Sequence, residues 1–150
     1  MAQSVIAQYT SEFRHTLDDK NRLTIPSGWR AGHDETDTFV ATPHPDGYIA
    51  VLPPIEVANL KVKASQKSLT DSGAQNALAR FFAASYSLTF DKQGRISLPD
   101  QLRRHAGIDK DAVLVGVLTK FNIYNPAQWD KLNQGNPGEN LGDVMRSLGI

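Results

Sequence analysis

The chain contains one motif twice, and this repeat constrains the fold more strongly than any other feature of its 150 residues. The first copy covers residues 13–30 and the second covers residues 86–103. The recurring pairs, each 73 positions apart, are Thr16 and Thr89, Asp18 and Asp91, Arg22 and Arg95, Pro26 and Pro99, and Arg30 and Arg103. Pro53 and Pro126 keep the same spacing. The pattern therefore predicts an internal duplication without a gap, with residues 13–58 matching 86–131.

Each copy has the pattern of two short strands joined by a tight polar turn and ended by a proline. Asn21 and Gly94 occupy equivalent places in the turns DDKN and DKQG, and both residue types adopt left-handed backbone readily. The proline cannot donate a hydrogen bond to a strand, but it can open a helix. Each copy is therefore predicted to be a local hairpin followed by a short helix, over residues 27–31 and 100–106.

A second pair of apolar segments follows each copy. Residues 38–42 and 48–52 flank a Pro-His-Pro-Asp-Gly turn, which predicts another hairpin. Its counterpart is 112–117 with 120–125, where the sequence AVLVGV is apolar enough to be buried on both faces. Each half then has about four short strands, and the two halves together favour a compact, closed or nearly closed sheet.

Helical patterns fill the space between and after these segments. One helix is predicted over residues 54–67 and another after Asp71 or Ser72, so that a helical pair separates the two copies. A further helix follows Asn125, which can cap it, with Pro126 at its first position. The apolar stripe of the second helix, which we expect to lie in the core, consists of Ala74, Ala77, Leu78, Phe81 and Phe82.

Both ends of the chain lie outside the repeat. Residues 1–8 have no counterpart in the second copy and are expected to be a frayed extension. Residues 133–139 have the composition of a flexible segment, with two glycines and a proline. Beyond it, Leu141, Val144, Met145 and Leu148 follow the helical period and predict a short amphipathic helix. So short a helix needs a surface to lie on, either on its own chain or on a neighbouring subunit.

Composition excludes several classes of protein. Sixteen basic and sixteen acidic residues cancel, so that any DNA binding must come from a local basic patch. The absence of cysteine excludes thiolate chemistry and fits a reducing cytosol. The first ten residues contain no Lys or Arg and do not have the pattern of a signal peptide. The longest apolar run, residues 112–118, is far shorter than the roughly 20 residues that span a bilayer.

Catalysis, metals and cofactors find little support in the sequence. His15 near Asp18, or His44 near Asp46, could form an acid and base pair, but a turn histidine beside a carboxylate is more often a surface residue. No glycine-rich loop has the spacing that cradles a phosphate. No arrangement of histidines and carboxylates matches a zinc or calcium site. We therefore expect no enzyme activity, no metal and no cofactor.

The duplicated motif resembles the MraZ family. In each copy a strand ending in Leu-Asp or Phe-Asp is followed by Arg-Leu-Thr-Ile-Pro or Arg-Ile-Ser-Leu-Pro, which is similar to the Asp-x-x-x-Arg signature of that family. The resemblance implies a mainly β fold with added helices (α+β), built as a duplicated AbrB-like swapped-hairpin β-barrel with a pseudo-twofold axis within one chain. The chain departs from the family pattern at Asn21, where glycine is usual, and in the extension at residues 2–9.

The resemblance also divides the chain and assigns its function. It implies a first AbrB-like repeat at 11–58, a helical insertion at 59–84, a second repeat at 85–131 and a tail at 132–150. It further implies a cytoplasmic, nucleoid-associated transcriptional regulator that binds short direct repeats in the promoter of the division and cell-wall gene cluster, as a ring-shaped homo-oligomer. The alternatives are an oligomeric protein-interaction scaffold and an antitoxin-like AbrB regulator.

Basic residues on or beside the two turns are the candidate DNA contacts, because guanidinium and ammonium groups bind phosphates and base edges. Salt bridges from Asp18 to Arg22 and from Asp91 to Arg95 would instead fix the turns, and both interpretations stay open for the aspartates. The first strand of the second copy has Ser87 and Leu88 in place of two basic residues, so this copy is expected to serve core and assembly more than DNA. The candidates are Arg14, His15, Lys20, Arg22, Arg30, Lys92, Arg95 and Arg103.

Overall fold

The computed structural model describes residues 7–66, 70–135 and 138–150. Within these residues the chain is a mixed α+β structure with antiparallel sheets. A 3₁₀ turn at Ser27–Trp29 occupies the place of the short helix predicted after the first copy. The strands are β1 (Glu12–Thr16), β2 (Arg22–Thr24), β3 (Phe39–Pro43), β4 (Ile49–Leu52), β5 (Tyr86–Leu88), β6 (Arg95–Ser97), β7 (Asp111–Gly116) and β8 (Phe121–Tyr124). The helices are α1 (Pro54–Ser65), α2 (Ser72–Ala83), α3 (Asp100–Ala106), α4 (Pro126–Asn133) and α5 (Leu141–Ser147).

The strands of the two copies interleave instead of pairing within each copy. β1 pairs with β7 and β5 pairs with β3, so that each first strand joins the other half of the chain. β2 and β6 pair with each other as a separate two-stranded ribbon. A tight turn does follow β1, with the backbone N–H of Asp18 donating to the carbonyl of Arg22 at 3.0 Å. The predicted local hairpin is nevertheless wrong, because the strands on either side of this turn pair with strands of the other copy.

The remaining strands form one six-stranded sheet in the order β1-β7-β8-β4-β3-β5. The predicted hairpins β3–β4 and β7–β8 are confirmed, and they meet at the centre of the sheet through β4 and β8. β1 and β5 lie at the two edges, and no pairing between them closes the sheet in the part of the chain that the structure describes. Of the predicted closed or nearly closed sheet, full closure by strand pairing is therefore absent from the described residues, while the ribbon packs on the same core as the open sheet.

The spacing between equivalent positions of the two halves falls from 73 to 72 residues at the turn between β3 and β4. Val40 pairs with Leu52 in the way that Val113 pairs with Tyr124. Val40 and Val113 are 73 positions apart, whereas Leu52 and Tyr124 are only 72 positions apart. The β3–β4 turn is thus one residue longer than the β7–β8 turn, and the repeat is gapless only up to this point.

This shift changes the correspondence of the prolines that follow. α1 begins at Pro54 and α4 begins at Pro126, so these two residues are the structural counterparts. Pro53 corresponds instead to Asn125, since each precedes a helix as its N-cap. The predicted match of Pro53 with Pro126 is wrong because sequence identity at that spacing is coincidental.

The main core lies between one face of the six-stranded sheet and the β2–β6 ribbon. Leu23 and Ile96 pair at the centre of the ribbon and are 0% and 1% exposed. Trp29 packs against Tyr9 and Phe121, with ring centroids 5.9 and 5.0 Å apart. The predicted burial of β7 on both faces is confirmed, because residues 112–115 are all buried.

The predicted helices are present, and two of them have the predicted caps. The Asp71 carboxylate accepts from the backbone N–H of Ala74 at 3.0 Å and caps α2. The Asn125 side chain accepts from the backbone N–H of Gln128 at 2.8 Å and caps α4. The helix predicted over 54–67 ends at Ser65 in the structure, with Gln66 as its C-cap; position 67 lies outside the described residues.

The expectation that Phe81 and Phe82 belong to the core is wrong. Their side chains are 38% and 42% exposed, and no residue of α2 is buried. The helical period correctly indicated an apolar face, but the described chain covers it only in part: Ala74 and Leu78 are half-buried, whereas the two phenylalanines are exposed. α5 is similar, since Leu141 and Leu148 are 74% and 68% exposed. Two apolar helix faces are therefore open to solvent in a single chain.

The segment before β1 belongs to the core and is not a frayed end from position 7 onward. Ala7 and Tyr9 are buried, and Tyr9 forms an isolated β-bridge with Leu118. Its backbone passes so close to Gly116 that a Cβ atom there would collide with it. The prediction for residues 1–6 lies outside the described residues.

Candidate nucleic-acid interface

The β2–β6 ribbon presents a polar face made of the same residues from both copies. Arg22 lies opposite Ser97, and Thr24 lies opposite Arg95. Because side chains alternate along a strand, these four lie on one face while the apolar pair between them faces the core. Two arginines and two hydroxyl groups thus share one small surface. The structure brings together the candidates Arg22 and Arg95, which the predicted local hairpins would have kept apart, and adds the hydroxyl residues that the prediction missed.

The two turns that lead into the ribbon have the same internal hydrogen bonds. Asp18 Oδ1 accepts from the backbone N–H groups of Lys20 and Arg22 at 3.0 and 2.8 Å. Asp91 Oδ1 accepts the equivalent bonds from Gln93 and Arg95, both at 2.9 Å. The expected structural role of the two aspartates is therefore present, and each carboxylate closes its own turn.

Each aspartate also orients the arginine of its own turn. Arg22 Nε donates to Asp18 Oδ2 at 2.7 Å, and Arg95 Nε donates to Asp91 Oδ2 at the same distance. The backbone and side-chain hydrogen bonds from the arginines hold the pKa of both carboxyl groups below its ordinary value. Arg95 Nη1 lies 3.7 Å from Asp18 Oδ2, which joins the two turns electrostatically. The carboxylates therefore remain ionised and hold both guanidinium groups in place.

Lys20 and Lys92 lie at the exposed tips of the two turns. Neither ammonium group has an ion-pair partner within residues 7–66, 70–135 and 138–150. An exposed lysine without a partner can bind phosphate without first breaking an internal contact. These lysines flank the polar face of the ribbon and extend its positive charge.

Arg30 has a structural position that the sequence did not predict. Its Nε donates to the carbonyl of Ile25 at 3.1 Å, and its guanidinium lies directly over Gly94 of the other turn. Gly94 has a φ of 75°, and a Cβ atom there would collide with Arg30. Arg30 therefore supports the turn of the second copy, and its aliphatic chain fits there because position 94 is glycine.

The equivalent arginine of the second copy does not make the equivalent contact. Asn21 occupies the place of Gly94 in the first turn and adopts the same left-handed backbone, with a φ of 58°. Arg103 instead pairs with Asp100 within α3, and its Nε is buried without a hydrogen-bond partner. The first turn therefore lacks the support that Arg30 gives to the second.

Two candidates on β1 lie away from the polar face of the ribbon. Arg14 Nη2 is 2.5 Å from Asp130 Oδ1 on α4, so its charge is already paired. His15 is partly buried on the opposite side of β1, next to Ala112 of β7. The structure thus separates Arg14 and His15 from Lys20 and Arg22, because β1 pairs with β7 and not with β2.

A loop that the sequence analysis passed over lies beside the second turn. The residues at 33–37 carry three carboxylates, Asp34, Glu35 and Asp37. Asp37 Oδ2 is 3.1 Å from His33 Nδ1, and the other ring nitrogen of His33 is 2.9 Å from the Tyr9 hydroxyl. Burial and the nearby Asp37 raise the pKa of Tyr9 to about 12. This chain of polar groups fixes the loop to the core.

The described residues give no support to the catalytic or metal-binding alternatives. No group of three or more histidines and carboxylates within them could hold a metal ion. His44 Nδ1 accepts from the backbone N–H of Asp46 at 3.0 Å, so this histidine serves its own turn. No helix in the described ranges has both the length and the apolar character needed to cross a membrane.

Comparison with known proteins places this chain among transcriptional regulators. A relative from Natranaerobius thermophilus is 42% identical over 84% of this chain and 87% of its own length. Relatives from Pediococcus pentosaceus and Clostridium beijerinckii are 39% and 34% identical over 93% and 95% of this chain and 96% and 99% of theirs. All three are described as "Transcriptional regulator MraZ".

A family model agrees with these relatives. The model described as "MraZ protein, putative antitoxin-like" matches residues 81–141, which contain the second copy of the motif. The chain belongs to the MraZ family, which consists of transcriptional regulators and not of enzymes. The resemblance stated for the duplicated motif is thereby confirmed.

Proposed function

We propose that the protein binds double-stranded promoter DNA sequence-specifically, at short direct repeats ahead of the division and cell-wall gene cluster and its own gene. It would act in the cytoplasm, associated with the nucleoid, and without a cofactor. Membership in a family of transcriptional regulators supports regulation as the task. The polar face of the ribbon supports DNA as the target.

The observation that carries the proposal is the pair of arginines held by Nε on one face of a two-stranded ribbon. The major groove of DNA is about 12 Å wide and admits such a ribbon. Fixed through Nε, Arg22 keeps both Nη groups for a base edge and Arg95 keeps Nη2, since Arg95 Nη1 lies 3.7 Å from Asp18 Oδ2; the commonest base partner of arginine is guanine. Thr24 and Ser97 add hydroxyl groups on the same face. Arg22 and Arg95 would read bases, while Lys20 and Lys92 would bind phosphates.

We further propose that the two halves form a duplicated AbrB-like swapped-hairpin fold with a pseudo-twofold axis. Leu23 and Ile96 are equivalent residues, and they pair with each other at the centre of the ribbon. Equivalent edge strands also pair in the same way, since β1 with β7 repeats the register of β5 with β3. The repeats would be residues 11–58 and 85–131, joined by the helical segment 59–84 and followed by the tail 132–150.

Assembly into a ring would supply the affinity that one chain lacks. The formal net charge is zero, and only a few cations on the ribbon are available for phosphates. Binding through so few phosphate contacts is weak at physiological salt. Linked subunits that touch tandem repeats gain from effective concentration, without new contacts. The apolar faces left open on α2 and α5 support contacts between subunits.

The test is DNA titration with two variants at two salt concentrations. Lys20→Ala should weaken binding to promoter and scrambled duplexes alike and lower the salt slope by about one. Arg22→Ala should cost about 1 to 3 kcal/mol on promoter DNA and relax the preference at one base pair. Lys131→Ala is the matched control, because Lys131 is an exposed lysine on α4.

Thermal unfolding of the same variants separates recognition from folding. If Arg22→Ala left promoter affinity unchanged but lowered the melting temperature, Arg22 would be a partner of Asp18 and not a reader of bases. If the unaltered protein did not distinguish promoter from scrambled DNA, the proposal would be wrong, and a protein-interaction scaffold would fit the open apolar faces better.

A further inference from the structure

The acidic loop at 33–37 forms one wall of a groove whose other wall is the second turn. The groove holds about 480 Å³, and its lining includes the loop carboxylates Asp34 and Glu35 together with the cations Arg30 and Lys92. This placement follows from the strand pairing, because β5 leads into the second turn and lies beside the start of β3. The carboxylates of the loop therefore lie near Lys92, which is the candidate phosphate-binding residue of the second turn.

The loop holds its negative charge in a defined place. Asp34 Oδ1 accepts from the backbone N–H of Thr36 at 2.8 Å and also binds its hydroxyl group. These bonds keep the pKa of Asp34 below its ordinary value. Glu35 is exposed and makes no ion pair or side-chain hydrogen bond within the described residues. Asp37 Oδ2 contacts His33 Nδ1, whereas Asp34 and Glu35 are the loop carboxylates that line the groove.

The first turn has a different neighbour at the equivalent place. Residues 106–110 correspond to 33–37 and read Ala-Gly-Ile-Asp-Lys, with one carboxylate and one ammonium group. The carbonyl of Lys110 accepts from the backbone N–H of Leu17 at 2.7 Å, which places this segment directly beside the first turn. The two turns have the same internal hydrogen bonds but different neighbouring segments: the segment beside the first turn is neutral, although that turn carries Asp19 itself, whereas the segment beside the second turn is acidic.

The two turns also differ in the contacts that hold them in place, and the second turn is the more firmly held. Arg30 packs over Gly94 and fixes the second turn, whereas the equivalent Arg103 pairs with Asp100 and its Nε makes no hydrogen bond, so that the first turn lacks an equivalent bond. A turn without this support can adjust its backbone to a base edge more easily than one that is held. Surroundings and support therefore distinguish the two turns independently.

We infer that the 33–37 loop is an electrostatic guard that weakens phosphate contact at the second turn, so that each subunit presents the first turn as its main DNA-reading element. The inference rests on the proposed DNA binding and adds that the two turns of one subunit contribute unequally to it. A DNA phosphate bound at the second turn and the carboxylates of the loop are both negative, so they repel each other across the groove. This repulsion is largest at low salt. In a ring on tandem repeats, one dominant turn per subunit would make the spacing of contacts uniform.

The experiment measures affinity for a duplex of the protein's own upstream DNA after single charges are removed. Glu35→Gln should raise the affinity about twofold at low salt, and the gain should shrink as salt rises. Asp34→Asn should act in the same direction, because the amide oxygen can still accept from Thr36. Asp46→Asn is the matched control, since it removes the same charge at the opposite end of β3.

A second substitution identifies where the gain arises. In the background of Lys92→Ala, Glu35→Gln should no longer raise the affinity, because the contact that the loop opposes is gone. A gain of equal size with Asp46→Asn, or one that persists without Lys92, would overturn the guard while leaving DNA binding intact. Failure of the unaltered protein to prefer its upstream DNA over a scrambled duplex would overturn the proposed function, and the guard with it.

Discussion

Asp18 holds Arg22 by a hydrogen bond from Nε to Oδ2 at 2.7 Å, and this contact leaves both Nη groups of the arginine available. The same Nε bond recurs between Asp91 and Arg95, where Nη1 also lies 3.7 Å from Asp18 Oδ2 and Nη2 remains available. A salt bridge that fixes the turn and a base contact are thus compatible in one side chain. The two interpretations that the sequence left open describe different atoms of the same guanidinium group.

Arg22→Lys should separate charge from geometry. Lysine keeps the positive charge but cannot bind a carboxylate and a base edge through one planar group. Affinity for promoter DNA should fall about tenfold, while affinity for scrambled DNA should change little. Fluorescence anisotropy with both duplexes measures this ratio, and an equal loss on both would assign Arg22 to phosphate contact only.

The two turn aspartates should make the protein sensitive to acid. Their pKa values in the folded state lie below the ordinary 3.8, so they stabilise the fold above that pH and lose this contribution as the pH falls through the lowered values. Asp18→Asn with Asp91→Asn should therefore flatten the decline of the melting temperature below about pH 4. Asp109→Asn, which removes an exposed carboxylate outside the turns, should leave the decline as steep as before.

Gly94→Asn should be costly even though asparagine is accepted at the equivalent position 21. Asparagine tolerates the left-handed backbone, but its Cβ atom would collide with Arg30. We expect a loss of about 1 to 2 kcal/mol in the free energy of unfolding. In the background of Arg30→Ala the same substitution should cost much less. Equal losses in both backgrounds, measured by urea unfolding, would show that backbone conformation alone requires the glycine.

Ionisation of Tyr9 should lower the stability of the folded protein at alkaline pH. Its pKa is raised from 10.0 to about 12, chiefly by burial, so its contribution to stability is complete below pH 10 and is lost as the pH rises through 12. The shift corresponds to about 2 to 3 kcal/mol. Tyr9→Phe should lose about 1 kcal/mol at neutral pH with the hydrogen bond to His33, and should show a shallower loss between pH 10 and 12. An unchanged alkaline profile would exclude Tyr9 as its source.

The open apolar faces should control assembly. Phe82→Ser on α2 or Leu148→Ser beside α5 should reduce the mass measured by light scattering at micromolar concentration. Both side chains are exposed in the single chain, so its helical circular dichroism should not change. Val117→Ser in the β7–β8 turn removes a similarly exposed side chain for comparison. A clean monomer in the unaltered protein would contradict the proposed ring.

Local features were predictable because nearby residues determine them. The left-handed turn positions at Asn21 and Gly94, the span of α3 and the cap of α4 all follow from residue types within a few positions. The hairpin of β3 and β4, two apolar segments around a proline and glycine turn, was equally clear. Each of these predictions is confirmed.

Strand partners were not predictable from the residues, because the choice is made between segments far apart in the chain. The pattern before and after each turn suits a hairpin, but it suits equally two strands that pair elsewhere. The resemblance to the MraZ family did imply exchanged strands, whereas periodicity alone predicted local ones. For the same reason, Arg14 and Arg30 were expected to lie near Lys20. In the structure Arg14 forms a salt bridge with Asp130, and Arg30 packs against the second turn.

Because the strands of the two halves interleave, the order in which the chain is synthesised determines when it can fold. Thr16 of β1 binds Asp111 of β7 across 95 positions of the chain. At about 5 to 20 residues per second, a ribosome needs roughly 5 to 20 seconds to make the segment between them. During that time β1 has no partner of its own, and a neighbouring nascent chain carrying β7 could supply one. Neither copy of the motif can become a folded unit until the strands of the other copy have been made.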